Sequence, residues 1–402
     1  MICVVVDGLH AGMLGAYGNA WIRTDHFDRL ASESCVFDQA YLTDPRLDAL
    51  YEAYWHGAIA TSRAGGRRGG SSLPEIVGGA GFHTALLTDE PALPGFAPAA
   101  AFAEQRVVES PRASRAADEI GQTQLARLFT EITEWLAAPR EPFCLWVHAQ
   151  AMAGAWDAPL PLRNQYADED DPTPSDQFDV PDHWLAEAFD PDELLPVVHA
   201  YAGQVSALDA CLGALLDQID DSGLADTTQF TLLSARGLPL GEHRRIGRCD
   251  APLYNELTQL AWLMRFPDGT GKLTRNQSLV VPSDLPATLL DWLGLDSSSL
   301  PDAAGTTLLP TIGGRQEPIR DRIVMQSEHD RAIRTRAWLL RIGREEVAEL
   351  YAKPSDRWEK NEVGRLCGNV VTGLEAALNE AEQVGPNGQL SPLDDILVTE
   401  VD

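Results

Sequence analysis

The chain has 402 residues, 44% of them hydrophobic. It can bury a large core and divide into one large and one smaller domain, since single cores stop growing near ~250–300 residues. Its formal net charge is −29 and its lysines are confined to Lys272, Lys353 and Lys360, so phosphate backbones and anionic leaflets repel it and neither nucleic acid nor a membrane is expected as a partner.

MICVVVDGLH enters an apolar strand at once, with no basic segment, apolar stretch and small-residue cleavage site, and no run of about 18 apolar residues occurs elsewhere. The expected location is cytoplasmic. Cys3, Cys35, Cys144, Cys211, Cys249 and Cys367 lack CxxC or zinc-like spacing and read as reduced thiols.

In chain order, ICVVVD reads as a strand leading to a turn, FDRLASES as a helix, CVFDQAYL as a strand, and LDALYEAYWHG as a helix stopped by Gly57. After the RAGGRRGGSS stretch from Arg63 to Ser72, SLPEIVGGAG and HTALLTD repeat the helix-to-strand step, and LARLFTEITEWLAA leads into FCLWVHAQ. QYADEDDPTPSDQFDVPDH is acidic and proline-rich, an inserted surface loop. A long helix from Asp192 to Ile219 precedes the strand TTQFTLLS. Continuous apolar strands separated by helices predict an α/β fold, a mostly parallel central sheet with helices on both faces.

From about Ile319 the pieces RIVMQS, DRAIRTRAWLLRIG and AELYAKP are short and strand-like, and VTGLEAALNEAEQV is helical. They predict a small C-terminal antiparallel α+β domain. The expected boundaries are 1–315, 316–385 and an acidic tail over 386–402. Chemistry collects at the carboxyl ends of parallel strands, so Asp7, the segment after Leu42, His148 to Trp156, and Ser234 to Gly237 are expected to converge on one cleft.

Together these stretches resemble the sulfatase family of the alkaline-phosphatase-like superfamily. ICVVVDGLHAGMLGAYGN is similar to the family's opening strand and Tyr-Gly turn, and TDHFDRLASESCVFDQAY to its TPNLDRLAxEGxxFxxAY. SLPEIVGGAGFHTALL resembles LPELLxxAGYxT, and VSALDACLGALLDQIDDSGLADTTQFTLLSARG resembles IxxLDxxLGxLLxxLxxxGLxDNTLVVFTSDHG. SDLPATLLDWLG and the C-terminal RAIRTRAWLLRI with ELYAKPSDRWEKNEV follow in the family's order. Such a fold implies a metal-dependent hydrolase of sulfuric esters.

The residues the resemblance assigns to chemistry are mostly replaced. Family members hold a divalent cation, typically calcium, with two adjacent Asp after the first strand and an Asp plus His or Asn in SDHG; hard cations require several oxygen ligands. Those positions here are Asp7, Gly8, Ala235 and Arg236, so Asp7 is the one retained ligand and no metal cofactor is expected. The nucleophile of CxPxR, a Cys or Ser at a helix N-terminus that becomes formylglycine, aligns without gaps to Leu47, with Tyr51 at the arginine. Anchoring on Pro45 instead puts Thr43 there. Threonine needs a metal to become nucleophilic. The Lys and His of GKWH fall at Asp89 and Pro91, the His of DPHxP at Ala153, and the lysine after GEH survives in kind as Arg248.

Two functions remain open from sequence. One is a pseudoenzyme that binds a protein partner or a small anion such as sulfate, phosphate or a sulfated sugar, with Arg236, His243 and Arg248 as candidate contacts. The other is a sulfuric or phosphoric ester hydrolase with a rearranged site, using Thr43 or Asp44. Asp7 also reads as a backbone-bonded strand end, His148 as a core histidine, and His243 to Arg248 as a solvated loop. Arg236 either faces an external anion or pairs with Asp7 or Asp89.

Overall fold

The computed structural model describes residues 1–58, 70–109, 115–174, 176, 178–248, 252–300, 305–314, 318–385 and 388–399. Most of the Arg63 to Ser72 stretch, Cys249 and the expected boundary at 315 and 316 lie outside the described residues. The chain divides into two compact units.

The first unit comprises Met1–Asp38, Val77–Arg248 and Leu260–Asn276. Its strands are β1 (Ile2–Asp7), β2 (Cys35–Phe37), β3 (His83–Thr88), β4 (Glu104–Val107), β5 (Phe143–Ala149), β6 (His183–Trp184), β7 (Phe230–Arg236), β8 (Arg245–Ile246), β9 (Trp262–Arg265) and β10 (Thr274–Asn276). β6 and β8 pair with each other as a short antiparallel ribbon, and the other eight form one sheet in the order β10-β2-β9-β7-β1-β5-β3-β4. β9 runs antiparallel to both its neighbours, and every other pair is parallel. The expected mostly parallel sheet is therefore present.

Burial explains why the inner strands read as unbroken apolar runs. Every residue of β1 and β5 is buried, because helices cover both faces and leave no polar side for alternation. The helix Gln124–Leu136 begins with Thr123 accepting the Ala126 N–H, an ordinary side-chain cap, and presents Leu128, Phe129, Ile132 and Trp135 to the interior. The helix expected from Asp192 starts at Leu195 and runs to Asp221, behind a short 3-10 turn over Pro191–Glu193. CVFDQAYL is a full strand only over Cys35–Phe37; Ala40 and Tyr41 make single bridges, with Val280 and Gln259, inside the second unit.

The second unit comprises Gln39–Ile76, Cys249–Gln259 and Gln277–Asp402. Its sheet is an antiparallel meander of β11 (Arg322–Gln326), β12 (Arg331–Thr335), β13 (Trp338–Ile342) and β14 (Ala348–Ala352). Ile333, Leu340 and Leu350 of the sheet pack with Val370, Leu374 and Leu378 of the helix Gly368–Val384. This is the small antiparallel domain with one long helix. The segment after Gly385 does not trail away over its described residues: Leu397 is buried in that core, and Trp338 Nε1 donates to the Ile396 carbonyl. Lys353 and Glu359 form a fully buried ion pair in the same unit, with Glu359 also accepting the Asn255 N–H. Among the described residues no helix is long and apolar enough to cross a membrane.

Candidate active-site cleft

β1 and β7 lie side by side and parallel, as the sequence required of strands ending at Asp7 and Ser234. Their register slips at the end: Val6 faces Ser234, but Asp7 faces Arg236. Ala235 is skipped by the pairing and buried. This local bulge aims the Arg236 side chain at Asp7.

The contact is bidentate. Arg236 Nε donates to Asp7 Oδ1 at 2.8 Å and Nη2 to Oδ2 at 2.9 Å, while the Gly8 N–H donates to Oδ1 at 2.9 Å. Asp7 is 2% exposed. Burial alone would push its carboxyl up, but the Arg236 charge and hydrogen bond, His148 and the Gly8 N–H together hold it below the ordinary carboxylate value. Of the two readings of Arg236, the structure has the tethered pair with Asp7.

His148 is wholly buried within β5, between Val5 of β1 and Thr88 of β3. Burial lowers its pKa to about 4, Asp7 opposing and Arg236 assisting, so the imidazole is neutral at pH 7. It belongs to the core of the sheet.

The residues do not make a donor set for a divalent cation. Both Asp7 oxygens already carry Arg236, Ala235 supplies a methyl group, and Arg236 is a permanent cation. Gly8 cannot be a substitute position for a second carboxylate either. Its φ is +72°, and a Cβ there would come within 2.8 Å of the Ala153 nitrogen and 3.0 Å of the Met152 Cβ. The turn Ala151–Ala153 has closed over the place a side chain would need. Gly8 is held from the other side by Tyr201, whose hydroxyl donates to its carbonyl at 2.8 Å and accepts the His10 N–H at 2.8 Å.

The nucleophile candidates belong to the second unit. Leu47 is the first residue of the helix Leu47–His56, so the alignment that puts Leu47 at the nucleophile position also puts it at a helix N-terminus. Tyr51 is buried with its ring against Trp55 and Tyr54. Thr43 is buried and lies four residues before the helix start, its carbonyl accepting the Gln326 N–H. The Asp44 carboxylate is taken by the Arg46 backbone N–H, Nε and Nη2 at 2.9 to 3.2 Å. Neither Thr43 nor Asp44 stands beside a base that would activate it in the contacts described.

Four other positions named by the resemblance do come together. Asp89, Pro91, Ala153 and Arg248 line a single cavity of about 640 Å³ in the first unit, at the carboxyl ends of β3 and β5. Asp89 Oδ1 accepts the Gln150 N–H at 2.7 Å, and the Gln150 side-chain amide returns to the Asp89 carbonyl and to Glu90. Burial, with Glu90 and Asp7 as like charges, raises the Asp89 carboxyl to about 7 against the two backbone bonds that lower it. His243 sits half-buried in the turn after β7, and Arg245 beside it is buried against Asp182, the His183 carbonyl and the Trp184 ring. That arginine is part of the β6–β8 ribbon and not of an anion pocket.

Sequence reasoning missed Tyr201, Glu90 and the contact of His10 with Glu242, and covered Gln150 only as part of the segment His148 to Trp156. His10 Nδ1 accepts the Gly12 N–H, so its Nε2 carries the proton that faces Glu242 Oε1 at 3.5 Å. Gln150 immediately follows β5 and Glu90 stands two residues past the end of β3, so both positions could have been found. Tyr201 could not, since nothing in a helical run marks which residue reaches back to the first loop.

Comparison with known proteins agrees with this architecture. The family profile described as Sulfatase matches residues 1–295. The phosphonate monoester hydrolase of Agrobacterium radiobacter superposes with a TM-score of 0.76 at 17% identity, covering 94% of each chain. A protein solved in complex with its substrate D-glucosamine-2-N,6-O-disulfate gives a TM-score of 0.76 at 16% identity, covering 95% of this chain and 97% of that one. The multifunctional alkaline phosphatase superfamily protein PehA of Trinickia caryophylli is 26% identical over 191 residues, which are 43% of this chain and 35% of that protein's length. With the strand order, the terminal antiparallel domain and the matched span all in agreement, this chain belongs to the sulfatase family.

Proposed function

We propose that this chain is a sulfatase-fold pseudoenzyme, which has lost metal-dependent ester hydrolysis and acts by recognising a ligand or a partner without cleaving it. The observation that carries this reading is the bidentate Arg236–Asp7 pair at the position where family members hold their cation. A divalent ion placed beside the guanidinium would be repelled by at least about 4 kcal/mol per unit charge at ~4 Å and a protein-like effective dielectric. The closed turn against Gly8 and the leucine at the helix N-terminus support the same conclusion. The relatives are named for hydrolysing phosphonate monoesters or for a disulfated glucosamine substrate. Turnover of such esters is the activity this chain is proposed to lack.

The test is turnover by purified protein, coexpressed with a formylglycine-generating enzyme, against aryl sulfates, phosphate esters and phosphonate monoesters, with and without added calcium. The expected rate is that of buffer alone. Turnover abolished by chelator would overturn the proposal and make Thr43 and Asp44 the first residues to substitute.

A further inference from the structure

The cavity at the carboxyl ends of β3 and β5 occupies the place that parallel sheets reserve for ligands, and at about 640 Å³ it has the size of a small-molecule site. Its polar lining is Asp89, Glu109, Gln124, Gln150, Asp179 and Arg248, with valine and alanine side chains between them. Among the described lining residues, three carboxyls thus stand against one guanidinium. The resemblance gives family members a lysine where Asp89 stands and histidines where Pro91 and Ala153 stand, so the sign of this wall is reversed.

We propose that the cavity binds a small organic cation, a polar ligand that presents a primary ammonium group to Asp89. An anion entering here would meet Asp89 on the floor, with Glu90 behind it on Gln150, and the exposed Glu109 and Asp179 at the rim. Among the described lining residues, the exposed Arg248 alone would attract it. A metal ion is disfavoured by spacing: among the described residues no three His, Cys, Asp or Glu side chains converge closely enough to hold one. Carboxyls spread around a cavity, and not gathered at one point, suit an extended ligand with donor groups set apart.

Asp89 provides the specific contact. Its carboxyl sits at the end of β3 with one oxygen fixed by the Gln150 N–H, so its position is set before a ligand arrives. Burial makes its ionised form unfavourable in the empty cavity. An ammonium group offsets that, and a neutral hydroxyl does so far less. Gln124 lies at the start of the helix Gln124–Leu136 and Gln150 after β5, so both amides stand on rigid elements.

This inference names a ligand for the cleft whose hydrolytic role is proposed lost, and it rests on that reading. Binding is measured without turnover, so hydrolysis would sink the first proposal while the titration decides the second. The full chain is titrated calorimetrically at constant ionic strength with 1,4-diaminobutane, with its uncharged isostere 1,4-butanediol, and with sulfate. Saturable one-to-one binding of the diamine, and none of the diol or sulfate, is expected. Asp89→Asn should weaken the diamine by about tenfold or more, the loss of a charge-assisted bond. The double variant Glu109→Gln/Asp179→Gln, altered only at exposed positions, should weaken it as well and reads independently if Asp89→Asn folds poorly. Absence of saturable diamine binding, equal binding by the diol, tighter binding by sulfate, or undiminished affinity in the variants would overturn the proposal.

Discussion

Asp7 is 2% exposed, and removing the Arg236 guanidinium leaves its carboxylate with only the Gly8 N–H as a hydrogen-bond donor among the described residues. Arg236→Ala is therefore expected to lose about 3 kcal/mol of stability at pH 7, the low end for a broken buried pair because Arg236 is partly open to water. Asp7 is held below its ordinary pKa in the folded protein. Its contribution is thus present above the unfolded carboxylate pKa and is lost as pH falls through the lowered folded value. In the variant, burial without the cation pushes the carboxyl up, so the deficit shrinks on acidification. Denaturant unfolding at pH 7 and pH 4 checks both; a loss under 0.5 kcal/mol, or one that grows in acid, contradicts the buried pair. The sequence offered this pairing as one of three alternatives for Arg236, and the register slip that selects Asp7 over Asp89 has no mark in the sequence. The raised Asp89 carboxyl was not legible, since it depends on Gln150 and on burial that no spacing reveals.

At the scale of elements, the slip between β1 and β7 and the turn Ala151–Ala153 together shape the cleft. Gly8 tolerates its φ of +72° because it lacks a Cβ, and the turn rests where that Cβ would be. Gly8→Ala is expected to destabilise by about 2–4 kcal/mol, combining left-handed strain with overpacking against backbone. A shift in the urea midpoint measures it, and a change within 0.5 kcal/mol would mean that the turn yields freely. Long apolar strands such as β1, β5 and β7 were readable because burial on both faces demands unbroken hydrophobic runs. The ribbon of β6 and β8 was hidden, one strand at the end of an acidic loop and the other in a basic one, since a two-residue strand held by Arg245 and Asp182 has no periodicity to detect. CVFDQAYL looked like one strand because its apolar residues continue past Phe37, although ladder pairing ends there.

For the molecule as a whole, the order of segments along the chain carried the family assignment, and the profile match over residues 1–295 agrees with it. What chain order cannot carry is function, because the same sheet supports a metal or an ion pair according to a few side chains at strand ends. Asp7 pairs with a cation tethered to β7, the Arg236 guanidinium, and in the function proposed above that guanidinium stands where the family's metal would. Metal stoichiometry tests that exchange most directly. Protein purified without chelator, then dialysed against calcium and magnesium in turn, is expected to retain well under one equivalent of either by elemental analysis, with no saturable heat when calcium is titrated in. One tightly held equivalent, displaced by chelator and lost in Asp7→Asn, would contradict the replacement of the metal by Arg236.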